Sequence, residues 1–371
     1  MAEGAGVLIA AISGRALAQS AHRGGYQPLV VDFFGDQDTL QAAKGHVRLA
    51  GKLARGIEEN DLCNALDALA AGRHPLGIIC GSGFEDRTEL LECVAQRWRL
   101  FGNSAAVVAK VKDPAMLSAI CAGIAIPLPE LSLAKPPVPA DWLAKRTGGS
   151  GGGHIKPAER AARGAIYYQR KVPGIPISAL FLADGKNATV IGISTQWVLP
   201  TTDKPYRYGG AAQPATLPPH AAALLTAAVD RLAAAASLVG LNSADFLVDG
   251  EHFWLLEINP RPSATLDIFE PPQGSLFSLH MRACAGELAP APRYPGGAKA
   301  AAIVYAEHDI PSVPALAWPP WTADRPQPGS AIEAGEPLCT VYACGPDAAG
   351  VRAFTDERRK VVLAWMRAGQ Q

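Results

Sequence analysis

The sequence predicts a three-part α/β protein, and three observations carry that prediction. The chain opens with a β-α-β pattern, its middle holds two hairpins turned on Asp-Gly, and its end returns to short apolar strands. A length of 371 residues exceeds one ordinary domain and leaves ample material for a core.

In the opening part, Val7–Ile12 reads as a buried strand, Gly14–His22 as a helix closed by Gly24-Gly25, and Leu29–Asp32 as a second strand. An acidic residue at the end of the second strand suits a doubly wound, nucleotide-binding sheet. The dinucleotide fingerprint is missing, because "AAISGRALAQS" carries one glycine where that motif needs three. A dehydrogenase built on this unit is therefore disfavoured. Strand Leu76–Cys80, turn "GSGFED" and helix Thr88–Trp98 add another β-α unit, and the part closes around Phe101–Asn103.

A helix at Pro114–Ala122 and the Pro-rich "IPLPELSLAKPPVPAD" lead to a strand that ends in Lys145 and runs into "RTGGSGGGHI". The hairpins follow as "ISALFLADGKNATVIGIS", 177–194, and "ADFLVDGEHFWLLEIN", 244–259, each with the turn that most strongly signals a hairpin. An Ala- and Leu-rich helix, 219–239, separates them. After the Pro/Gly linker 289–299, "AAIVYAEHDI" and "EPLCTVYACG" read as strands of a terminal module closed by helix 355–368.

Charge narrows the function classes. Lys plus Arg and Asp plus Glu number 34 each, which removes any whole-chain electrostatic case for nucleic acid or an anionic membrane. The seven cysteines are odd in number and form no CxxC pair, the usage of reduced thiols in a cytoplasmic protein. "GVLIAAISGRALAQSA" has the look of a signal segment, but it lacks a positive start and Arg15 interrupts it early. No apolar run approaches the ~20 residues of a membrane span.

The stretch "LLEINPRPSATLDIF", 255–269, concentrates polar groups at the end of an apolar strand. Glu257 and Asn259 leave the same strand face, and two hard oxygen donors there suit a divalent cation; the plainer reading is a strand end meeting solvent. Asp245, on the other strand of the hairpin, can sit beside Glu257. Arg261 takes the next same-face position, where a guanidinium can hold phosphate or carboxylate bidentately, or can pair structurally with Asp267. Upstream, Gly148, Gly149, Ser150, Gly151, Gly152 and Gly153 form a loop whose backbone N–H groups can approach phosphate oxygens, a composition shared with flexible linkers. Its lysine, Lys145, precedes it, so this is not a Walker loop. His154 reads as a surface histidine before a phosphate contact, Tyr206–Gly210 as either an acceptor wall or an ordinary loop, and Cys80, Trp318, Trp321 and Trp365 as packing residues.

With these residues in order, the chain resembles the ATP-grasp enzymes, ATP-dependent carboxylate–amine ligases and their carboxylase relatives. "LLEINPRPS" is similar to the family's metal-binding strand and "WLAKRTGGSGGGHI" to its lysine-then-phosphate-loop segment. "VAKVKDPAMLSAICAGIAIPLP" resembles the opening of its ATP domain and "YYQRKVPGIPIS" the hinge between its lobes. The resemblance implies an α/β ATP-grasp fold with a Rossmann-like domain at 1–105, a two-lobed ATP-grasp domain at 106–288 hinged near 169–174, and a small C-terminal β-rich module at 296–371.

It further implies Asp245, Glu257 and Asn259 as ligands of magnesium, with manganese an alternative. Lys112 and Lys145 would meet the α- and β-phosphates of ATP, Gly148–Gly153 the β- and γ-phosphates, and Gln169, Arg170 and Val172 the adenine. Lys145 and Arg261 would be catalytic, Arg261 by steadying an acyl phosphate. Pro176 and Ser243 stand where a ribose-binding Glu and a substrate Arg are common in the family. The implied partners are a small-molecule carboxylate and an amine, with a homodimer left open. The "GSGFED" turn and the tail resemble a branch of tyramine–glutamate ligase-like proteins linked to C1-cofactor biosynthesis of the methanofuran or tetrahydromethanopterin type. The rival reading is an ATP-binding sensor without turnover, which the metal trio argues against.

Overall fold

The computed structural model describes residues 4–160, 165–294 and 296–368. In its first part, β1 (Gly6–Ala10), α1 (Arg15–Arg23), β2 (Gln27–Asp32), α2 (Gln37–Ala42), β3 (Gly45–Arg48), α3 (Glu59–Ala70), β4 (Ile78–Cys80) and α4 (Thr88–Arg97) alternate. The strands form a parallel sheet in the order β3-β2-β1-β4. Val7, Leu8, Ile9 and Ala10 have no exposed surface, so both sheet faces are covered. That is why β1 reads as an unbroken apolar run instead of an alternating one. The expected helix starts and ends within a residue of α1, and Gly14 before it donates its N–H to Asp32 Oδ2 at 2.9 Å.

Two helices follow, α5 (Ala105–Lys112) and α6 (Pro114–Gly123). Ser104 caps the first, and Asp113 caps the second through Met116 N–H at 2.8 Å, with Pro114 at its first position. A small antiparallel sheet, ordered β5-β8-β6-β7, is built from β5 (Leu131–Ser132), β6 (Trp142–Arg146), β7 (Lys156–Pro157) and β8 (Ile166–Arg170). From β8 the chain passes directly into β9 (Ile175–Asp184) of a larger sheet, so the segment expected as the hinge does join two sheets.

The larger sheet continues with β10 (Ala188–Val198) and β11 (Tyr208–Gln213), then α7 (Pro219–Ala236), β12 (Val239–Asp249) and β13 (His252–Asn259). The two Asp-Gly hairpins lie side by side because β9 pairs with β12 as well as β10. The apolar stripe of α7, including Leu225, Val229 and Leu232, packs on Phe181 and Phe246 of one face. The short α8 (Leu266–Phe269) and α9 (Leu276–Cys284) cover the other face, where Leu180, Leu182 and Leu241 meet Phe269 and Phe277. The expected helix 219–239 stops at Ala236, because Ser237 turns left-handed and Val239 already belongs to β12.

The last part holds β14 (Ala298–Tyr305), β15 (Thr322–Ala323), β16 (Pro337–Gly345) and α10 (Ala348–Ala368). It is β-rich as expected, yet it is not a layer of its own. Its strands extend the large sheet into one array, β13-β12-β9-β10-β11-β14-β16-β15, joined where β11 pairs with β14. The run of Ala at 300–302 allows that close seam. The terminal helix begins seven residues earlier than the expected 355, and Trp321 stacks on Trp365 with centroids 6.1 Å apart. The linker 289–299 includes Pro295, outside the described residues. Among the described residues no helix is long and apolar enough to cross a membrane.

Candidate active site

The β12–β13 hairpin places Asp245 opposite Glu257 and Ser243 opposite Asn259, one residue off the register set at the turn, where Asp249 faces His252. A bulge follows Asp245, and the strand starts at Val239, well before the expected start. Asn259 Nδ2 donates to Asp245 Oδ2 at 3.0 Å, and Gln196 Nε2 donates to Asp245 Oδ1 at 3.4 Å. From the end of α5, the Lys112 ammonium donates to Asn259 Oδ1 at 3.2 Å and lies 3.6 Å from Glu257 Oε2. Lys145, 3 % exposed on β6, donates to Gln169 Oε1 at 3.2 Å and sits 5.8 Å from the centroid of the Tyr167 ring. Lysines from two separate elements thus converge on the carboxylates of the β12–β13 hairpin.

Electrostatics divides the two acids. Burial and then the Glu257 charge raise the Asp245 carboxyl well above its ordinary range. Burial would raise Glu257 too, but Lys112, Lys145, His154 and Arg261 outweigh it and hold that carboxyl low, at about 2. Glu257 is therefore the anion that the lysines favour, and Asp245 is the one whose charge is costly. Lys145 is raised above its ordinary value, since Tyr167, Glu257 and Asp245 together overcome the opposing effect of burial.

Behind this pair, Arg261 does not meet Asp267 as the plainer reading expected. Its Nε donates to Glu85 Oε1 at 2.6 Å, while Asp267 takes both Nη groups of Arg15 at 2.7 Å each. Glu85 belongs to the "GSGFED" turn and also accepts the N–H groups of Gly83 and Phe84. Burial would raise its carboxyl, but Arg261 and Lys112 keep it below the ordinary value. Glu85 was missed as a site residue although its turn stood out in the sequence.

The glycine loop between β6 and β7 is docked, not free. Tyr208 N–H donates to Gly151 O at 3.0 Å, and Arg146 lies 3.4 Å from Asp86 across the loop's base. Gly152 has φ +72, and a Cβ added there would sit 1.9 Å from Tyr206 O, so only glycine allows this approach. His154, expected at the surface, is largely enclosed; burial lowers its imidazole to about 4 despite the nearby Glu257. The "YRYGG" segment thus forms the wall that receives the loop. Of the expected adenine contacts, Gln169 is buried and bonded to Lys145, whereas Arg170 is exposed and pairs with Glu130, and Val172 lies in the connection to β9.

Comparison with known proteins fits this geometry. Residues 117–265 match the family model described as the ATP-grasp domain. Over nearly its whole length the chain also superimposes on solved ATP-grasp-type enzymes. The fold is ATP-grasp. A biotin carboxylase from Campylobacter jejuni matches with a TM-score of 0.73 at 15% identity, covering 97% of this chain and 95% of that one. The biotin carboxylase domain of a Hydrogenobacter thermophilus 2-oxoglutarate carboxylase, solved with MgADP and bicarbonate, gives 0.73 at 13% identity, over 93% and 87% of the two chains. N5-carboxyaminoimidazole ribonucleotide synthetase from Thermotoga maritima gives 0.68 at 14% identity, over 96% and 98%. No curated protein sequence matches the chain. At such identities these likenesses speak for the ATP-grasp fold and leave the reaction to be argued from residues.

Proposed function

We propose that the protein is an ATP- and magnesium-dependent ligase that joins a carboxylate to an amine through an acyl phosphate. The observation that carries this reading is the convergence of Lys112 and Lys145 on the Glu257–Asp245 pair, beside a glycine loop that docks on Tyr208 and is followed by His154, within electrostatic reach of Glu257. Solved relatives of this fold bind ADP and magnesium, which supports the same ligands here.

The residues fit a cation held largely by phosphate oxygens. Asp245 and Glu257 supply two carboxylates and Asn259 an amide, while among the described residues no group of three or more acidic, His or Cys side chains forms a closed metal cage. Magnesium, when bound, would supply neutralisation of phosphate charge. The chain's own residues position and compensate. Lys112 and Lys145 would hold the α- and β-phosphates, and the backbone of 148–153 would close over the β- and γ-phosphates. Gln169 would meet the adenine edge through its amide.

In this reading the substrate carboxylate attacks the γ-phosphorus, the bond to ADP breaks, and an acyl phosphate forms. The amine then attacks the acyl carbon, inorganic phosphate leaves, and an amide remains with release of a proton. Arg261, held by Glu85, would face the acyl phosphate. A small-molecule or cofactor-biosynthetic setting, in the manner of the tyramine–glutamate ligase-like branch, is the form of this proposal that the tail sequence supports. Calorimetric titration with ATP tests it: magnesium should strengthen binding by at least roughly tenfold, since without it the triphosphate and the Asp245–Glu257 pair must share the same two lysines. Equal affinity in EDTA would remove the metal assignment.

A further inference from the structure

The seven cysteines carry no pairing signal in the sequence, yet the fold brings two of them together. Cys63 on α3 and Cys93 on α4, 30 positions apart, place their Sγ atoms 3.0 Å from each other, and both are free thiols. The two helices cover the same face of the parallel sheet, where Leu62, Leu66, Leu90 and Val94 share one core with Leu8 and Val31. One turn farther along both helices, Arg97 Nη1 donates to Asp67 Oδ2 at 2.7 Å. Residues four apart share a helix face, so Cys63 with Asp67 and Cys93 with Arg97 form two rungs of one parallel register. The helix packing that makes the charged rung makes the sulfur rung as well.

The pair is not half of a metal site, since among the described residues no group of three or more His, Cys, Asp or Glu side chains could hold an ion. Its two members differ in access. Cys63 is 6 % exposed, and burial and then the contact with Cys93 push its thiol up to about 11, against the pull of Arg97. Cys93 is only partly buried, so a soluble oxidant reaches it first. An accessible thiol poised next to a second, shielded one is the arrangement of a sensing and a resolving cysteine. Bonding needs the two sulfurs to close by only about 1 Å. In a chain whose cysteine usage is otherwise that of reduced thiols, such a bridge is a transient, signalling one.

We propose that Cys63 and Cys93 are a peroxide-responsive pair, with Cys93 the thiol that reacts first and Cys63 the thiol that resolves it into a reversible disulfide. Cys93 Sγ attacks one peroxide oxygen, the O–O bond breaks, and Cys93 becomes a sulfenic acid as water leaves. Cys63 Sγ then attacks the Cys93 sulfur, the S–O bond breaks, and the Cys63 proton departs with the hydroxide as a second water. Two thiols lose two electrons in all, and one peroxide becomes two waters. A dithiol reductant restores both thiols by exchange. The bridge closes a loop that contains β4 and the "GSGFED" turn, so oxidation ties down the segment from which Glu85 reaches Arg261. Neither cysteine belongs to the ligand site proposed above.

The test treats the folded full chain with hydrogen peroxide, alkylates the remaining thiols and maps cross-links by mass spectrometry. Two of the seven thiols should disappear into a Cys63–Cys93 bridge that dithiothreitol reverses. The bridged chain should unfold about 2 °C or more above the reduced one. Cys63→Ser should leave Cys93 as a sulfenic acid, trapped by dimedone and passing on to sulfinic acid in its absence. Cys93→Ser should slow oxidation of Cys63 by roughly tenfold or more, because burial then shields it. Thermal unfolding of both reduced variants checks their folds, and the cross-link map of the native chain needs neither variant. A chain in which both thiols survive peroxide, in which Cys93 goes to sulfinic acid unbridged, or in which the bridge forms only in urea overturns the pairing.

Discussion

Two clusters of charge in this molecule look alike in the sequence and differ in the structure. Around Arg15, 3 % exposed, Asp267 takes both Nη groups at 2.7 Å, Asp324 takes Nε and Nη2 at 3.0 Å, and Asp38 lies 3.9 Å away. Around Glu257, by contrast, Lys112 stands 3.6 Å away, and the direct hydrogen bonds of Lys112 and Lys145 go to amides. The first cluster commits a rigid fork to carboxylates from three parts of the chain, and so locks those parts together. The second gathers point charges that keep donors uncommitted to any carboxylate. A lysine ammonium suits the second use and an arginine fork the first. Around Arg15 close pairing joins parts of the chain, whereas the two lysines near Glu257 converge on it without close pairing.

Removal of Arg15 should have the largest effect on stability. Arg15→Met leaves Asp267, Asp324 and Asp38 without their buried cation, and stability should fall by about 3–5 kcal/mol in urea unfolding. A loss under 1 kcal/mol would mean that the cluster is not a joint.

The next effect is a loss with acid. His280, 1 % exposed, accepts Leu241 N–H at Nδ1 at 2.8 Å, with Phe101 O 3.2 Å from Nε2, so it joins the first part to β12 in its neutral form. Burial lowers its imidazole to about 4. The folded value is below the unfolded one, so the unfolded chain takes up the proton first. The contribution is fully present above about pH 6.5 and is lost as pH falls toward 4, by roughly 3 kcal/mol. His154 adds in the same direction, so His280→Gln should remove only part of the slope in unfolding curves measured from pH 7 to 4. A slope untouched by the substitution would contradict the assignment.

The contrast between the clusters also explains what the sequence could and could not reveal. Asp245 and Glu257 are linked by a short turn, so their nearness was legible, but the turn's register alone pairs Asp245 with Leu256, and the bulge after Asp245 brings it opposite Glu257. The helix at α1 and both hairpins were legible for the same local reasons. Arg15 and Asp267 are 252 positions apart, and Glu85 and Arg261 176 apart, and no local pattern announces such pairs. The seam between β11 and β14 was hidden likewise, since alanines at 211–212 and 300–302 look the same in a helix, a strand or a linker. His154 looked like a surface residue because the glycines around it suggest openness, whereas the loop's docking on Tyr208 encloses it.

The central claim is that Asp245 and Glu257 are kept together for a cation and its phosphates, and the two acids should answer differently when their charges are removed. Glu257→Gln takes away the anion that Lys112 and Lys145 favour, and should cost about 1–3 kcal/mol of stability at pH 7. Asp245→Asn removes the charge that burial and Glu257 disfavour, and stability without ligand should stay within about 0.5 kcal/mol of the native chain or rise. The most direct measurement pairs thermal unfolding of Asp245→Asn without ligand with titration of the same protein by ATP and magnesium. The account predicts a fold at least as stable and a loss of roughly tenfold or more in the magnesium-dependent part of ATP affinity, the signature of a residue retained for its ligand at the expense of stability. A clearly destabilised Asp245→Asn protein that binds ATP with undiminished magnesium dependence would contradict it.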